Sequence, residues 1–521
     1  MVIFSAASDS KPAMHYPDNR LKTPVYTTTQ VRELDRRIIT ESGISGFELM
    51  RRAAQALLDN IREYWPGRNR LLLFCGGGNN GGDGYLLGSL ARRAGWQVQA
   101  VALTDPEQLS GDAQQAFEAF RQAQGKVLSW QTYNAMPPDQ PTTDTITVDA
   151  LLGTGLTRAA EGAFAQAILT INRHETPVLA VDTPSGLDTD TGIPTGPTVI
   201  ADLTLTFIGM KSGLLTGQAR NHTGTLRLAP LITDPEPFKH FPTDSWLIDK
   251  DYLSQYLPPR QRTAHKGDFG HALLVGGGQG MSGAIRLAGA AALRTGCGRV
   301  SIATDPVHAD WLNLSHPELM VRGVDTATSL RPLLQDKTVL GLGPGLGQSD
   351  WAHALFRLAI NSPLPLVVDA DGLNLLAKAP VHRPDWILTP HPGEAARLLG
   401  WSVRVVESDR VRTVRQLQHK LGGIIVLKGA GTLIATPAET VFCQRGNPGM
   451  ASGGMGDVLC GMITALIAQG QTLEQAAILG VELHAKAADL AAQQGERGLL
   501  ASDVIDHIRT VTNPQPFHGA R

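Results

Sequence analysis

N-P-G-M-A-S-G-G-M-G-D-V-L-C-G, residues 447–461, is a glycine-dense loop that runs into an apolar helix, with one carboxylate, Asp457, at the junction. Glycine carries no Cβ, so backbone N–H groups in such a loop can approach a ligand closely. A helix start at Gly456 to Val458 adds the positive end of its dipole, and Asp457 there can take a proton from a hydroxyl. The stretch reads as a site for phosphoryl transfer to an alcohol.

The rest of the chain agrees with that setting. Its 521 residues hold 56 glycines, with 42% hydrophobic and 18% charged residues, as expected of a globular α/β enzyme rich in ligand loops. That length exceeds one ordinary core and suggests two to four domains, of which two is the working number. A net charge of −2 gives no support to binding of nucleic acid or an anionic membrane. Cys75, Cys297, Cys443 and Cys460 are widely spaced and form no C-x-x-C pair, so buried, reduced thiols are expected instead of a zinc knuckle or a disulfide framework. Val2 to Phe4 is too short an apolar run for a signal peptide, and no window approaches a membrane span, so the cytosol is the expected location.

Residues 1–22, with Pro12 and Pro17, read as a flexible lead-in. Helical spacing follows over 28–43 and 46–64, then the strand-like run Leu71 to Cys75. Further strands are expected at 97–103, 145–149, 177–182 and 203–207, alternating with helices at 84–95, 110–124 and 159–173, the pattern of a doubly wound, Rossmann-like parallel sheet over 23–235. The proline-rich interval 236–247 is read as a linker. A second α/β domain over 248–521 has expected strands at 271–276, 299–303, 337–341, 365–369, 386–389 and 423–428, with helices at 281–295, 349–361, 392–400, 406–419, 451–468 and 473–494. No repeat relates the halves.

In the first half, C-G-G-G-N-N-G-G-D-G-Y-L at 75–86 follows a strand and opens a helix, where phosphate-cradling loops sit. A plain turn with Asn80 and Asp83 capping the helix is the simpler alternative. V-D-A-L-L-G-T-G-L at 148–156 and V-D-T-P-S-G-L-D at 181–188 end neighbouring strands, which would turn Asp149, Asp182, Asn80 and Ser185 toward one crevice. Carboxylate, amide and hydroxyl oxygens of this kind suit a hard cation. Either aspartate could instead cap a loop, and Lys211, in G-M-K-S-G-L, is either a further crevice residue or a surface lysine.

In the second half, V-G-G-G-Q-G-M-S-G-A at 275–284 and L-G-L-G-P-G-L-G at 340–347 are glycine turns after strands. T-P-H-P-G-E at 389–394 holds His391 between two prolines, in a structural or a catalytic role, with Glu394 in the next helix turn. V-L-K-G-A-G-T at 426–432 offers Lys428 as a nucleotide-phosphate contact, or as a solvated surface lysine. There is no G-x-x-x-x-G-K-[ST], which excludes a P-loop enzyme.

Together these motifs make residues ~25–515 resemble the bacterial family in which an NAD(P)HX epimerase is fused to an ADP-dependent NAD(P)HX dehydratase. The first half is similar to the epimerase through G-G-G-N-N-G-G-D-G, V-D-A-L-L-G-T-G, D-T-P-S-G-L-D and G-M-K-S-G. The second resembles the dehydratase, a ribokinase-like fold, through T-P-H-P-G-E, L-K-G-A-G-T and the 447–461 stretch. The resemblance implies potassium ligands at Asn80, Asp149 and Ser185. It implies epimerase substrate contacts at Asn79, Asn80, Gly81, Gly82 and Asp83, at Gly153, Thr154, Gly155, Leu156, Thr157, Arg158 and Ala159, and at Asp182. In the dehydratase it implies substrate contacts at Ala284, Gly345, His391 and Asp457, with ADP against Lys428, Gly429, Ala430, Gly431, Thr432 and Gly456. NADHX and NADPHX are the implied substrates, ADP the phosphoryl donor and Mg²⁺ a further candidate; a homo-oligomer is expected.

The expected catalytic residues are Asp457 in the second half and Asp182, then Lys211, in the first. Two rivals stand beside this reading. One is a ribokinase-like kinase for a small alcohol, with a regulatory nucleotide-binding first domain. The other makes the first domain a binding module without activity.

Overall fold

Arg70–Cys75 is a strand whose side chains alternate between two cores. Leu71, Leu73 and Cys75 point into a cluster with Leu34, Leu57, Tyr85 and Phe120, whereas Leu72 and Phe74 join Trp130, Ile168 and Ile171 on the other face. Both faces of the sheet are therefore covered by helices, which is the doubly wound arrangement.

The computed structural model describes residues 2–4, 22–136, 141–155, 158–234, 236–238, 241–249 and 252–513. It divides into two compact units, Met1–Ser245 and Trp246–Arg521. In the first, the sheet order is Val2–Phe4, Thr225–Ala229, Leu203–Phe207, Val178–Val181, Thr145–Ala150, Arg70–Cys75, Gln97–Ala102 and Lys126–Ser129, with every pairing parallel. Val2–Phe4 lies inside the stretch read as a flexible lead-in; its apolar run instead pairs with Leu226–Leu228 as an edge strand. Lys22–Tyr26 forms a short parallel pair with Met210–Lys211. Helix Thr28–Glu41 then starts at Thr27, whose side chain and that of Gln30 form a capping box. Within the interval read as a linker, Glu236–Phe238 forms a short turn with Phe238 in the first unit's core.

The largest local departure is at the first glycine motif. Helix Asn79–Arg93 begins five residues before the expected 84, so Asn80 and Asp83 lie inside it and neither caps it; the cap is Gly78. The glycines explain why a helix forms there. A Cβ on Gly81 would stand 2.1 Å from the Gly76 carbonyl oxygen, and one on Gly84 would stand 2.6 Å from Ala150 Cβ. Only glycine lets this helix start lie flush on the strand ends.

The second unit follows the ribokinase-like expectation. Its strands run in the order Met320–Gly323, Arg299–Thr304, His271–Val275, Val339–Leu342, Leu366–Val368, Trp386–Leu388 and Ile424–Leu427, all parallel, followed by antiparallel Thr432–Ala435 and Thr440–Cys443. Helix 406–419 proves to be two, Val403–Ser408 and Arg410–Leu421, because the extended Asp409 caps the second through Arg412 N–H. Helix Met455–Ala468 is buried along nearly its whole length against helix Ser282–Thr295. Among the described residues no helix is long and apolar enough to cross a membrane. All four cysteines are free and buried.

Gly461 sets how closely those two helices approach, since a Cβ there would meet the Ala288 carbonyl oxygen at 2.1 Å. Backbone cannot swing aside as a side chain can. Gly461→Ala is therefore expected to cost about 2 kcal/mol of stability, as overpacking does. Calorimetry should show the second unit's transition lowered by roughly 4–8 °C.

Candidate functional sites

The first unit's site forms where strands Arg70–Cys75, Thr145–Ala150 and Val178–Val181 end. Asp149 is fully buried, and both of its oxygens are engaged. Oδ1 accepts from the Ser185 hydroxyl at 2.6 Å and from Leu151 N–H at 3.2 Å, while Oδ2 accepts from Ser185 N–H at 2.7 Å. Burial raises its pKa to about 6 against the pull of those hydrogen bonds, and among the described residues no cationic side chain acts on it. Asn80 sits over the same loop, with its Cγ 3.4 Å from where a Gly153 Cβ would be, and its side-chain Nδ2 is buried with no partner. The expected trio of Asn80, Asp149 and Ser185 thus meets at one loop pair.

Asp182 follows its strand in the left-handed region, φ +65°, strain of the kind that functional positions store. Its Oδ1 takes three donors: Lys211 Nζ at 2.6 Å, Thr206 Oγ1 at 3.1 Å and Phe207 N–H at 3.1 Å. Lys211 is no surface lysine; it is fully buried and donates also to Thr206 Oγ1 at 2.7 Å. Two more carboxyls face this pair. Burial, and then the Asp182 and Asp35 charges, hold Asp83 well above the usual carboxylate range. Asp35 is raised to about 6 by burial, with Lys211 opposing and Asp182 adding to the rise.

Asp35, on helix Thr28–Glu41, was not singled out from sequence, because it reads as one polar residue of an amphipathic helix. Arg32, one turn earlier, donates to the Thr154 carbonyl at 2.8 Å and so braces the 153–159 loop. Within that loop Leu156 and Thr157 lie outside the described residues. Ala159 packs near Gly196, and Arg158 is exposed.

The second unit's site gathers around Lys428. Its Nζ lies 2.7 Å from Asp369 Oδ1 and 3.8 Å from Glu394 Oε2, so the surface-lysine alternative does not hold. Gly456, in the first turn of helix Met455–Ala468, fits against this pair; a Cβ there would be 3.1 Å from both Asp369 Oδ2 and Lys428 Nζ. The helix is preceded by Gly454 at φ +91°, which turns the loop into it. Asp457 is half-buried next in line. Burial and the Asp369 and Asp371 charges raise it to about 7, with Lys428 pulling the other way. Glu394 is raised likewise to about 7, first by burial.

His391 caps helix Pro392–Leu399. Its Nδ1 accepts from Gly393 N–H at 2.9 Å and Glu394 N–H at 3.4 Å, and Glu394 returns a bond to His391 N–H at 2.8 Å. The ring therefore has a structural task; its side chain is half-exposed, with Nε2 3.5 Å from Glu394 Oε1. Ala284 and Gly345 meet across the glycine loops, with a Gly345 Cβ placed 3.1 Å from Ala284 Cβ. Thr432 donates to the Gly429 carbonyl at 3.1 Å within the 428–432 turn.

Sequence reading missed three residues here. Asp369 and Asp371 come from D-A-D-G at 369–372, where Ala370 between them has φ +48°. Asp371 accepts from Gly347 N–H at 2.8 Å and so ties down the 343–347 loop. A carboxylate pair at a strand end was the signal available. His484, on helix Leu473–Ala491, keeps Nε2 buried without a partner beside Lys428, and burial lowers it to about 4.

Comparison with known proteins bears on both sites. A family model described as NAD(P)H-hydrate dehydratase matches residues 272–510, and one described as YjeF-related protein N-terminus matches 46–213. The bifunctional NAD(P)H-hydrate repair enzyme Nnr of Coxiella burnetii (strain RSA 493 / Nine Mile phase I) is 44% identical over 494 residues, covering 94% of this chain and 100% of that protein. The enzyme of the same name from Escherichia coli (strain K12) is 41% identical, covering 94% of each. Among solved structures, the ADP/ATP-dependent NAD(P)H-hydrate dehydratase from Bacillus subtilis, co-crystallized with ATP/Mg²⁺, is 29% identical with a TM-score of 0.47, covering 51% of this chain and 97% of that one. Relatives matched across both units set the small-alcohol kinase and the inactive first domain aside. The chain belongs to the family of bifunctional NAD(P)H-hydrate repair enzymes, joining an epimerase unit to a dehydratase unit.

Proposed function

We propose that the second unit dehydrates S-NAD(P)HX by phosphorylating it, with Asp457 as the base and ADP as the donor. Hydroxide is a poor leaving group from C6 of the hydrated ring. Asp457 would take the C6 hydroxyl proton as the oxygen bonds to the donor's terminal phosphorus and the donor's P–O bond breaks. The N–H groups of Gly454 to Asp457 and the helix start stabilise the moving phosphoryl group. The ring nitrogen's lone pair then expels phosphate, and loss of a proton from C5 to solvent restores the C5–C6 double bond of the dihydronicotinamide. The observation that carries this is a carboxyl raised to about 7 at the start of a buried helix, flush against the Lys428–Asp369 pair. Lys428 and the 429–432 turn would hold the nucleotide. Mg²⁺ with the nucleotide is an expectation that only the donor chemistry supports.

For the first unit we propose Asp182 as the group that moves protons while configuration at C6 is lost and regained, with Lys211 holding it. A chiral dehydratase site takes one epimer, so interconversion on the same chain delivers the other. Asn80, Asp149 and Ser185 form the candidate potassium site. A fully buried carboxylate that no cationic side chain among the described residues balances, beside an amide, is chemistry a monovalent cation fits. Potassium there would supply positive charge that organises the Gly153–Ala159 loop for the substrate's phosphates. Both reactions are expected in the cytosol.

Four outcomes test this reading. Asp457→Asn should cut nucleotide-dependent dehydration, followed as 340 nm absorbance, by about 10²–10⁴-fold. Because Asp457 works deprotonated, kcat/KM of the wild-type dehydratase should fall as pH drops through about 7, and an acid limb more than one unit away would contradict the assignment. Asp182→Ala should slow conversion of a purified R epimer at least a hundredfold while dehydration of the S epimer persists; an unchanged epimerisation rate removes Asp182 from the chemistry. Thermal stability in KCl should exceed that in LiCl at equal ionic strength, and the difference should vanish in Asp149→Asn.

A further inference from the structure

Helices Asp371–Lys378 and Pro392–Leu399 enclose a groove of ≈ 410 Å³ lined by Gln348, Asn374, Ala377, Lys378 and Arg397. Its two charged walls are both cationic, and among the described residues no carboxylate lines it. The groove is joined to the second unit's site by a continuous run of contacts. Gly347 N–H donates to Asp371 Oδ2 at 2.8 Å, Asn374 Nδ2 lies 3.4 Å from Asp371 Oδ1, and Arg397 Nη1 donates to Asn374 Oδ1 at 3.1 Å. The glycine loop that carries Gly345 therefore forms one rim, and the helix that His391 starts carries Arg397 on the other. Arg397 also acts electrostatically on both His391 and Glu394, which places its charge close to the reaction site.

A hydrated dinucleotide is longer than the site around Asp457. If its nicotinamide ring sits between Asp457 and His391 and ADP takes the Lys428 side, its second nucleoside must leave past the 345–348 loop. Six residues separate His391 from Arg397, about 9 Å of helical rise, within reach of a second nucleoside joined through a diphosphate. On that path the diphosphate would meet the start of helix Ser282–Thr295, which lies beside Gly345 and has no side-chain cap, and helix starts serve anions. What remains for two side-chain cations is an anion that a backbone loop does not reach.

We infer that the groove bounded by Lys378 and Arg397 is the subsite for the phosphate monoester on the substrate's second ribose, the group that NADPHX carries and NADHX lacks. Arg397, steadied by Asn374, offers a fork of donors matched to phosphate oxygens, and Lys378 adds a mobile point charge across the groove. With NADHX the same groove meets only a ribose hydroxyl. The inference rests on the reading of the second unit as the dehydratase of a hydrated dinucleotide.

The test is a comparison of KM for S-NADPHX and S-NADHX in the full-length protein, wild type against the double variant Lys378→Ala, Arg397→Gln. Both side chains are exposed, so folding is not at stake, and an unchanged melting temperature verifies that. The expected result is a rise of about tenfold in KM for NADPHX, little change for NADHX, and kcat unaltered for both. High salt should narrow the wild-type difference between the substrates. Equal rises in KM for both substrates would reassign the groove to the shared diphosphate and overturn the inference. No change for either would overturn it as well. Neither of those results touches the role of Asp457, whereas a wild-type protein that dehydrates neither substrate would remove the underlying reading first.

Discussion

One ammonium set among more carboxylates than it can neutralise is the interaction on which each site depends. Lys428 faces Asp369, Glu394 and Asp457, with Asp371 adding its charge behind them. Lys211 faces Asp182, with Asp35 and Asp83 nearby. In a region of low dielectric a surplus negative charge is costly, so protons are retained where they would ordinarily be lost. The consequence differs between the units. Around Lys428 the surplus leaves a base that titrates near neutrality, whereas around Lys211 it holds Asp35 and Asp83 above the usual carboxylate range.

The scaffold exists to bring those groups together. In each unit the lysine's direct partner, Asp182 or Asp369, sits just past the carboxyl end of a parallel strand, and a left-handed residue, Asp182 or Ala370, bends the chain there. Such strain persists only where the surroundings over-determine it. The packed helix starts at Asn79 and Met455 do this by bringing backbone, not side chains, against the strand ends.

How much of this was legible follows from what sequence periodicity encodes. The central strands are continuous apolar runs and were placed to within about two residues, because burial on both faces leaves no other pattern. Short edge strands such as Met320–Gly323 and Lys126–Ser129 carry too little burial to stand out. Helix Asn79–Arg93 was begun late because glycine normally argues against a helix, and its reason for being there is a steric contact with Gly76 that no local rule contains. The motif residues were found, but their partners were not. Asp35 and His484 are distant in sequence from the groups they face and look like ordinary helix residues until the fold is known.

The capping box at His391 has an implication for how the second site experiences acid. A proton can settle on Nδ1 only where two backbone amides already point their hydrogens, so charging the imidazole would mean unfastening the start of its own helix. Burial and the Lys428 charge weigh against it further. His391 is thereby withdrawn from the role histidines most often fill near neutral pH, that of proton exchanger. Its imidazole behaves as a fixed wall with one donor edge, already oriented before any ligand arrives, and sensing of protons at this site is left to the carboxyls alone.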